Sequence, residues 1–258
     1  MNKKIKDIMS KKNKSKIVSL TAYSKNIAQI IDKYVDMILV GDSMASVLYN
    51  YNTTRKISLD TMIEHAKSVR MGIDKSLMVF DMPYNTYKDK KIALINAKKI
   101  IKRTKSDAVK LEGGSKIKDI VKHLIKNKIP VLGHLGIMPQ SVRGKFKSKG
   151  KTERERTKIL KDAKVLEKLG VFAIVLECIE KSLAKKITNE VKVPTIGIGS
   201  SVYCDGQILV TDDLIGLTNS KIKFVKKYIN ISNNIATAVK KFKQEVKLKK
   251  YPTKKYSY

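Results

Sequence analysis

Short apolar runs return along this chain at near-even intervals, and each is followed by a stretch with helical periodicity. They read Ile17 to Ala22, Met37 to Val40, Leu77 to Phe80, Ala108 to Leu111, Pro130 to Gly133, Phe172 to Leu176, Thr195 to Ile198 and Ile208 to Val210. The runs are apolar throughout instead of alternating, which marks strands of a parallel sheet covered on both faces. The segments between them carry one apolar stripe each, as in Leu59, Met62, Ile63, Ala66 and Val69, or Ile117, Ile120, Val121, Leu124 and Ile125. Gly72 and Gly170 stand where helix C-caps are expected. Spread over the chain, such units average about 32 residues, the size of a repeat in a (β/α)8 barrel. A doubly wound open sheet is the alternative. It usually carries a Gly-rich loop after its first strand, and Tyr23-Ser24-Lys25-Asn26 has none.

No linker or low-complexity block splits the chain, so one catalytic domain over 1–258 is expected. It would be an α/β TIM barrel with an N-terminal extension and extra C-terminal helices. Beyond Ser220 the apolar positions Val225, Ile229, Ile235, Val239, Phe242 and Val246 read as helical, covering the barrel or packing on another subunit. Cys178 and Cys204 are far apart and form no CxxC pair, which argues against a disulfide framework or a structural zinc site. The basic N-terminus is followed by no signal-like apolar stretch, and no run is long enough to span a bilayer. A cytoplasmic protein with no membrane partner is expected. The formal charge of +32 invites a nucleic-acid hypothesis, yet only six of the 55 basic residues are Arg. Arg supplies the bidentate forks favoured for bases and phosphates, so no nucleic-acid partner is expected.

Barrel enzymes place their chemistry at the C-terminal ends of the strands. Those ends here carry Asp42, Asp81, Glu112, His134 and Glu177. Several carboxylates converging on one mouth repel one another unless a cation sits among them, and Mg²⁺ with its oxygen ligands suits such a set. Zinc suits it less, because the other histidines, His65 and His123, fall mid-helix beside polar residues and are expected in solvent. Lys110 lies two residues before Glu112, so both side chains point into the barrel. It reads as a substrate cation or ion-pair partner before a Schiff-base nucleophile, since neighbouring carboxylates hold an amine protonated.

The motifs TAY (Thr21–Tyr23), LVGDS (Leu39–Ser43), DMPY (Asp81–Tyr84), VKLEGG (Val109–Gly114), GHLGIMPQSV (Gly133–Val142), VLE (Val175–Glu177), IGIGS (Ile196–Ser200) and CDGQILV (Cys204–Val210) follow in order. Together they resemble the ketopantoate hydroxymethyltransferase family over nearly the whole chain. The resemblance implies a (β/α)8 barrel that moves a one-carbon unit from 5,10-methylenetetrahydrofolate to 3-methyl-2-oxobutanoate through a Mg²⁺-stabilised enolate, giving 2-dehydropantoate for pantothenate synthesis. By the matching motifs, Asp42, Asp81 and Glu112 would lie around Mg²⁺, directly or through water. Asp42, Ser43, Asp81, Lys110 and His134 would contact the oxo acid, and Glu177 would accept the proton. The family also implies a homo-oligomer, a decamer. Ser24 stands where the family usually has an acid, and Gly144–Gly150 where it has a longer Gly-rich loop. Two other readings compete: a lyase or mutase of the phosphoenolpyruvate type on a similar barrel, and a basic scaffold that binds nucleic acid without turnover.

Overall fold

A computed structural model describes residues 2–141 and 147–258. The backbone divides into two compact units, Met1–Val210 and Thr211–Tyr258. In the first, α1 (Lys3–Ser10) precedes β1 (Ile17–Thr21), α2 (Lys25–Ile31), β2 (Met37–Val40), α3 (Met44–Val47), α4 (Leu59–Arg70), β3 (Leu77–Asp81) and α5 (Lys90–Thr104). There follow β4 (Ala108–Glu112), α6 (Lys118–Lys126), β5 (Val131–Gly136), α7 (Glu153–Leu169), β6 (Ala173–Glu177), α8 (Lys181–Glu190), β7 (Thr195–Ile198) and β8 (Gly206–Leu209). The eight strands close into a parallel barrel in sequence order, β8 pairing with β1. The expected barrel is therefore the architecture found.

Although the strands are buried on both faces, an alternation runs through them. Met37, Leu39, Leu77, Val79, Ala108, Leu132, Ala173, Val175, Ile196 and Ile208 form one apolar cluster, inside the barrel. Ile38, Val40, Met78, Phe80, Val109, Leu111, Ile174 and Leu176 belong to a second, under the helices. The period of two puts Asp81, Lys110, Glu112 and Glu177 on the inner side as well, because each is an even number of residues from an inner apolar one.

The basic N-terminal segment is more than an extension. Its helix α1 sends Ile5 and Ile8 into the inner cluster, almost completely buried, and so closes the N-terminal end of the barrel. Lys4 Nζ donates to Ser76 O, just before β3, and Asn2 to Asp107, just before β4. Burying each isoleucine contributes about 1.5–3 kcal/mol.

Helix starts follow the local sequence. Ser58 Oγ accepts from Thr61 N at α4, Asp89 Oδ1 from Ile92 N at α5, and Thr152 Oγ1 from Glu155 N at α7. Gly170 caps α7 with φ 94° as expected. Gly72 does not cap α4, whose C-cap is Met71 in the right-handed region. A Cβ at Gly72 would overlap Lys25 O, so this glycine serves the close approach of α2 to the end of α4.

The second unit contains α9 (Thr211–Leu214) and α10 (Ile231–Lys247). Residues 221–230 are not helical, which corrects the expectation for Val225 and Ile229. Among the described residues no helix is long and apolar enough to cross a membrane.

Candidate active site

The strand ends deliver their side chains to one mouth. Asp42 follows β2 in the turn to α3, Asp81 closes β3, Glu112 closes β4 and Glu177 closes β6. His134, expected at the end of β5, lies inside it, because the strand continues through Leu135 to Gly136. Its neighbours in register are Glu112 on β4 and Val175 on β6. Ser43 is half-buried, with Oγ 2.8 Å from the Tyr23 hydroxyl. Ser24 precedes α2 and makes no side-chain capping bond. The Gly144–Gly150 comparison falls partly on residues 142–146, outside the described residues, as does Val142 of the GHLGIMPQSV motif.

At the base of the mouth Lys110 Nζ donates to both oxygens of Asp81, at 2.7 Å each. β3 and β4 hold the two residues in cross-strand register. Burial raises the Asp81 carboxyl above the usual range, and the Lys110 ammonium works against that rise. Burial alone would lower Lys110, but Asp81, Glu112 and Asp42 outweigh it and lift the amine above its ordinary value. The two bonds to Asp81 and this upward shift favour a held cation over a Schiff-base nucleophile. Glu112 is pushed well up by burial and by Asp42, Asp81 and Glu177, with Lys110 opposing. Among the described residues one buried lysine faces four carboxylates here, an arrangement short of positive charge.

His134 is enclosed, and burial followed by the Lys110 charge lowers its pKa, with Glu177 opposing. Its Nε2 lies 3.2 Å from Glu177 Oε2 and its Nδ1 3.8 Å from Glu112 Oε1. Among the described residues neither ring nitrogen finds an aligned hydrogen bond, and Glu112 Oε1 is also buried without one. Such unpaired buried atoms await a ligand or water. Glu177 differs from the other acids: its side chain is 19% exposed, against 3% for Asp81 and 1% for Glu112.

Mg²⁺ fits this donor set. The donors are carboxylate oxygens, the local charge is unbalanced and Glu112 keeps a buried oxygen unpartnered. Among the described residues no three His, Cys, Asp or Glu side chains form a ready metal cage. The fit is to an ion held by one or two carboxylates, with water and substrate completing the shell, which is the usual habit of Mg²⁺. Asp42 and Asp81 are adjacent enough for the Asp42 N–H to reach Asp81 Oδ2 at 3.3 Å.

Two residues of this site carried no role in the sequence. Gln140, inside the GHLGIMPQSV motif, is buried and reaches Asp42, Met82 and Glu112. Tyr87 holds the Gln140 amide oxygen at 2.6 Å. Only membership of that motif could have singled out Gln140. The histidines expected in solvent are half-buried instead, and His65 Nδ1 and Nε2 lie 2.7 Å from Tyr23 O and 2.8 Å from Tyr49 Oη. Cys178, beside Glu177, is raised to about 11 by burial, and Cys204 is buried, so neither is a reactive thiolate.

A parallel (β/α)8 barrel with buried acids, a lysine and a histidine gathered at its C-terminal mouth defines an enzyme of the barrel class. A sequence profile described as ketopantoate hydroxymethyltransferase matches residues 2–254. The 3-methyl-2-oxobutanoate hydroxymethyltransferase of Pelagibacter ubique is 65% identical over 258 residues, covering all of both chains. That of Rhizobium etli is 42% identical over 97% of this chain and 93% of its own. A phosphonopyruvate hydrolase solved with oxalate and Mg²⁺ superposes with a TM-score of 0.62 over 98% of this chain and 93% of its own, at 10% identity, a likeness of fold alone. The chain belongs to the ketopantoate hydroxymethyltransferase family, and the enzyme is a hydroxymethyltransferase.

Proposed function

We propose that the enzyme transfers the one-carbon unit of 5,10-methylenetetrahydrofolate to C3 of 3-methyl-2-oxobutanoate, giving 2-dehydropantoate for pantothenate synthesis. The observation that carries this reading is the partly exposed Glu177 carboxylate 3.2 Å from the buried His134, at a mouth whose other acids are buried. A carboxylate so placed meets substrate from solvent and can accept a proton from it.

In this reading Glu177 takes the C3 proton of the oxo acid on a carboxylate oxygen. Asp42, Asp81 and Glu112 would hold Mg²⁺, directly or through water. Mg²⁺, when bound, supplies Lewis-acid stabilisation of the charge that develops on the keto oxygen. Lys110 opposes the effect of burial on Asp81 and adds positive charge toward the substrate carboxylate. His134 and Ser43 orient the oxo acid. In the net reaction the C3–H bond and both carbon–nitrogen bonds of the folate-borne methylene break, C3 bonds to that carbon, water supplies its hydroxyl, and the C3 proton and the remaining water proton end on the two nitrogens of the departing tetrahydrofolate.

The purified chain with Mg²⁺, 5,10-methylenetetrahydrofolate and ¹³C-labelled 3-methyl-2-oxobutanoate is expected to yield labelled 2-dehydropantoate by NMR. A folded protein that forms none contradicts the proposal.

The proposal extends to a cytoplasmic homo-oligomer. Its support is α10, where Ile235, Val239, Phe242 and Val246 form one stripe of side chains, each about half exposed. A second copy of the chain would cover it. Sedimentation velocity at micromolar concentration is expected to give an assembly, and a monomer would remove this part of the proposal.

A further inference from the structure

We infer that Gln140 is a positioning residue that selects which oxygen of Asp42 and which oxygen of Glu112 faces the cation and the oxo acid. The inference rests on the proposed Mg²⁺-dependent reading of the same mouth.

Gln140 sits in the segment after β5, yet its polar groups reach the ends of three other strands. Its backbone N–H donates to Glu112 Oε2 at 3.1 Å, after β4. Its side-chain Nε2 donates to Asp42 Oδ2 at 2.9 Å, after β2. The same Nε2 donates to Met82 O at 3.0 Å, immediately after Asp81 on β3. The Tyr87 hydroxyl donates to its Oε1 at 2.6 Å. Both amide protons and the amide oxygen are thus engaged, with only 2% of the residue exposed.

This network fixes the amide. Rotating it by half a turn would set its oxygen against Met82 O and Asp42 Oδ2, three acceptors with no proton among them. The Tyr87 hydroxyl completes that orientation by donating to the amide oxygen. One oxygen of each carboxylate is consequently spent on Gln140. The other oxygen of Glu112 is the buried Oε1 that has no hydrogen bond. A carboxylate with one oxygen tethered and the other free is oriented before any ligand arrives, and partners of this kind tune metal affinity.

A mere structural tether and a positioning residue predict different results. The probe is Mn²⁺ alone, titrated into the full chain and followed by electron paramagnetic resonance, with Asp42→Asn as the reference for a lost ligand. Gln140→Leu keeps the backbone bond to Glu112 and frees Asp42. It is expected to weaken Mn²⁺ binding about 10–100-fold. Gln140→Glu is isosteric but aims negative charge at Asp42 and Met82 O, and is expected to bind more weakly than the leucine variant. Tyr87→Phe keeps both amide donors and removes only their anchor, so a smaller loss is expected; it decides the matter if the Gln140 variants do not fold. If Gln140→Leu or, failing that, Tyr87→Phe binds Mn²⁺ like wild type while Asp42→Asn does not, the inference is overturned and the functional reading stands. A wild-type chain that binds no Mn²⁺ overturns that reading and the inference with it.

Discussion

The Lys110 ammonium lies 2.7 Å from both carboxylate oxygens of Asp81, in a barrel interior where their side chains are 5% and 3% exposed. Removing one partner leaves the other buried without compensation, which costs about 3–5 kcal/mol. Lys110→Met is therefore expected to lower the urea midpoint by that equivalent and to abolish turnover. Because the amine is held by both oxygens of Asp81, borohydride treatment of the wild type with substrate is expected to leave its mass unchanged. A trapped adduct on Lys110 would refute this account of the residue.

Asp32 organises the chain entering β3. Its Oδ2 accepts from Asp74 N and Lys75 N, both at 3.0 Å, and its Oδ1 from Ser76 N at 2.8 Å. Burial raises its pKa, but these N–H donors outweigh it and hold the carboxyl below its ordinary 3.8. A depressed folded-state pKa gives stability that is fully present above the unfolded value and lost as pH falls through the folded one. Asp32→Asn is expected to cost about 1–3 kcal/mol near pH 7. The gap to wild type should narrow below about pH 4. Urea titrations at pH 7 and pH 3 check both statements; a gap that widens in acid contradicts them.

The helix that closes the far end of the barrel should affect stability and leave the chemistry alone. Ile5→Ala and Ile8→Ala each remove a buried side chain from the inner cluster, at an expected cost of about 2–5 kcal/mol. At temperatures where the variants stay folded, kcat and KM are expected to match wild type. A loss of kcat in the folded variants would contradict the separation between this plug and the mouth.

Gly136 supports the proposed base through its backbone. It has φ 103°, and a Cβ there would overlap Glu177 O, whose partner is the Ile137 N–H at 2.9 Å. Gly136→Ala must push the ends of β5 and β6 apart. Displacement of a reacting group by about 1 Å costs about 10²-fold in rate, so kcat should fall by that order while circular dichroism stays near wild type. Unchanged kcat would show that Glu177 tolerates the shift.

The strands were legible because their apolar runs are uninterrupted, and Met37–Val40 and Thr195–Ile198 coincide with the observed limits. β5 was cut short at Gly133, since His134 and Gly136 resemble a turn when the barrel interior that receives a histidine is not yet known. Helix α1 escaped notice because Ile5 and Ile8 give one apolar pair within a basic segment, too short a stripe to stand out before a barrel exists to receive it. Gln140 escaped for another reason. Its partners lie 28 and 98 residues away, and no local periodicity encodes such contacts. The acids and Lys110 were legible because strand ends and a period of two place them. Their pairing, and the difference in exposure that sets Glu177 apart, emerge only when neighbouring strands are in register.

Exchange of the C3 proton of 3-methyl-2-oxobutanoate in D₂O, followed by NMR with Mg²⁺ and without folate, tests the central claim most directly. The wild type is expected to wash in deuterium at C3, and Glu177→Gln, folded and binding Mn²⁺ normally, to lose that exchange by at least about 10²-fold. Wild-type exchange that survives in Glu177→Gln would contradict the assignment of Glu177 as the base. No exchange by the folded wild type, with folate absent or present, would contradict proton abstraction at this mouth.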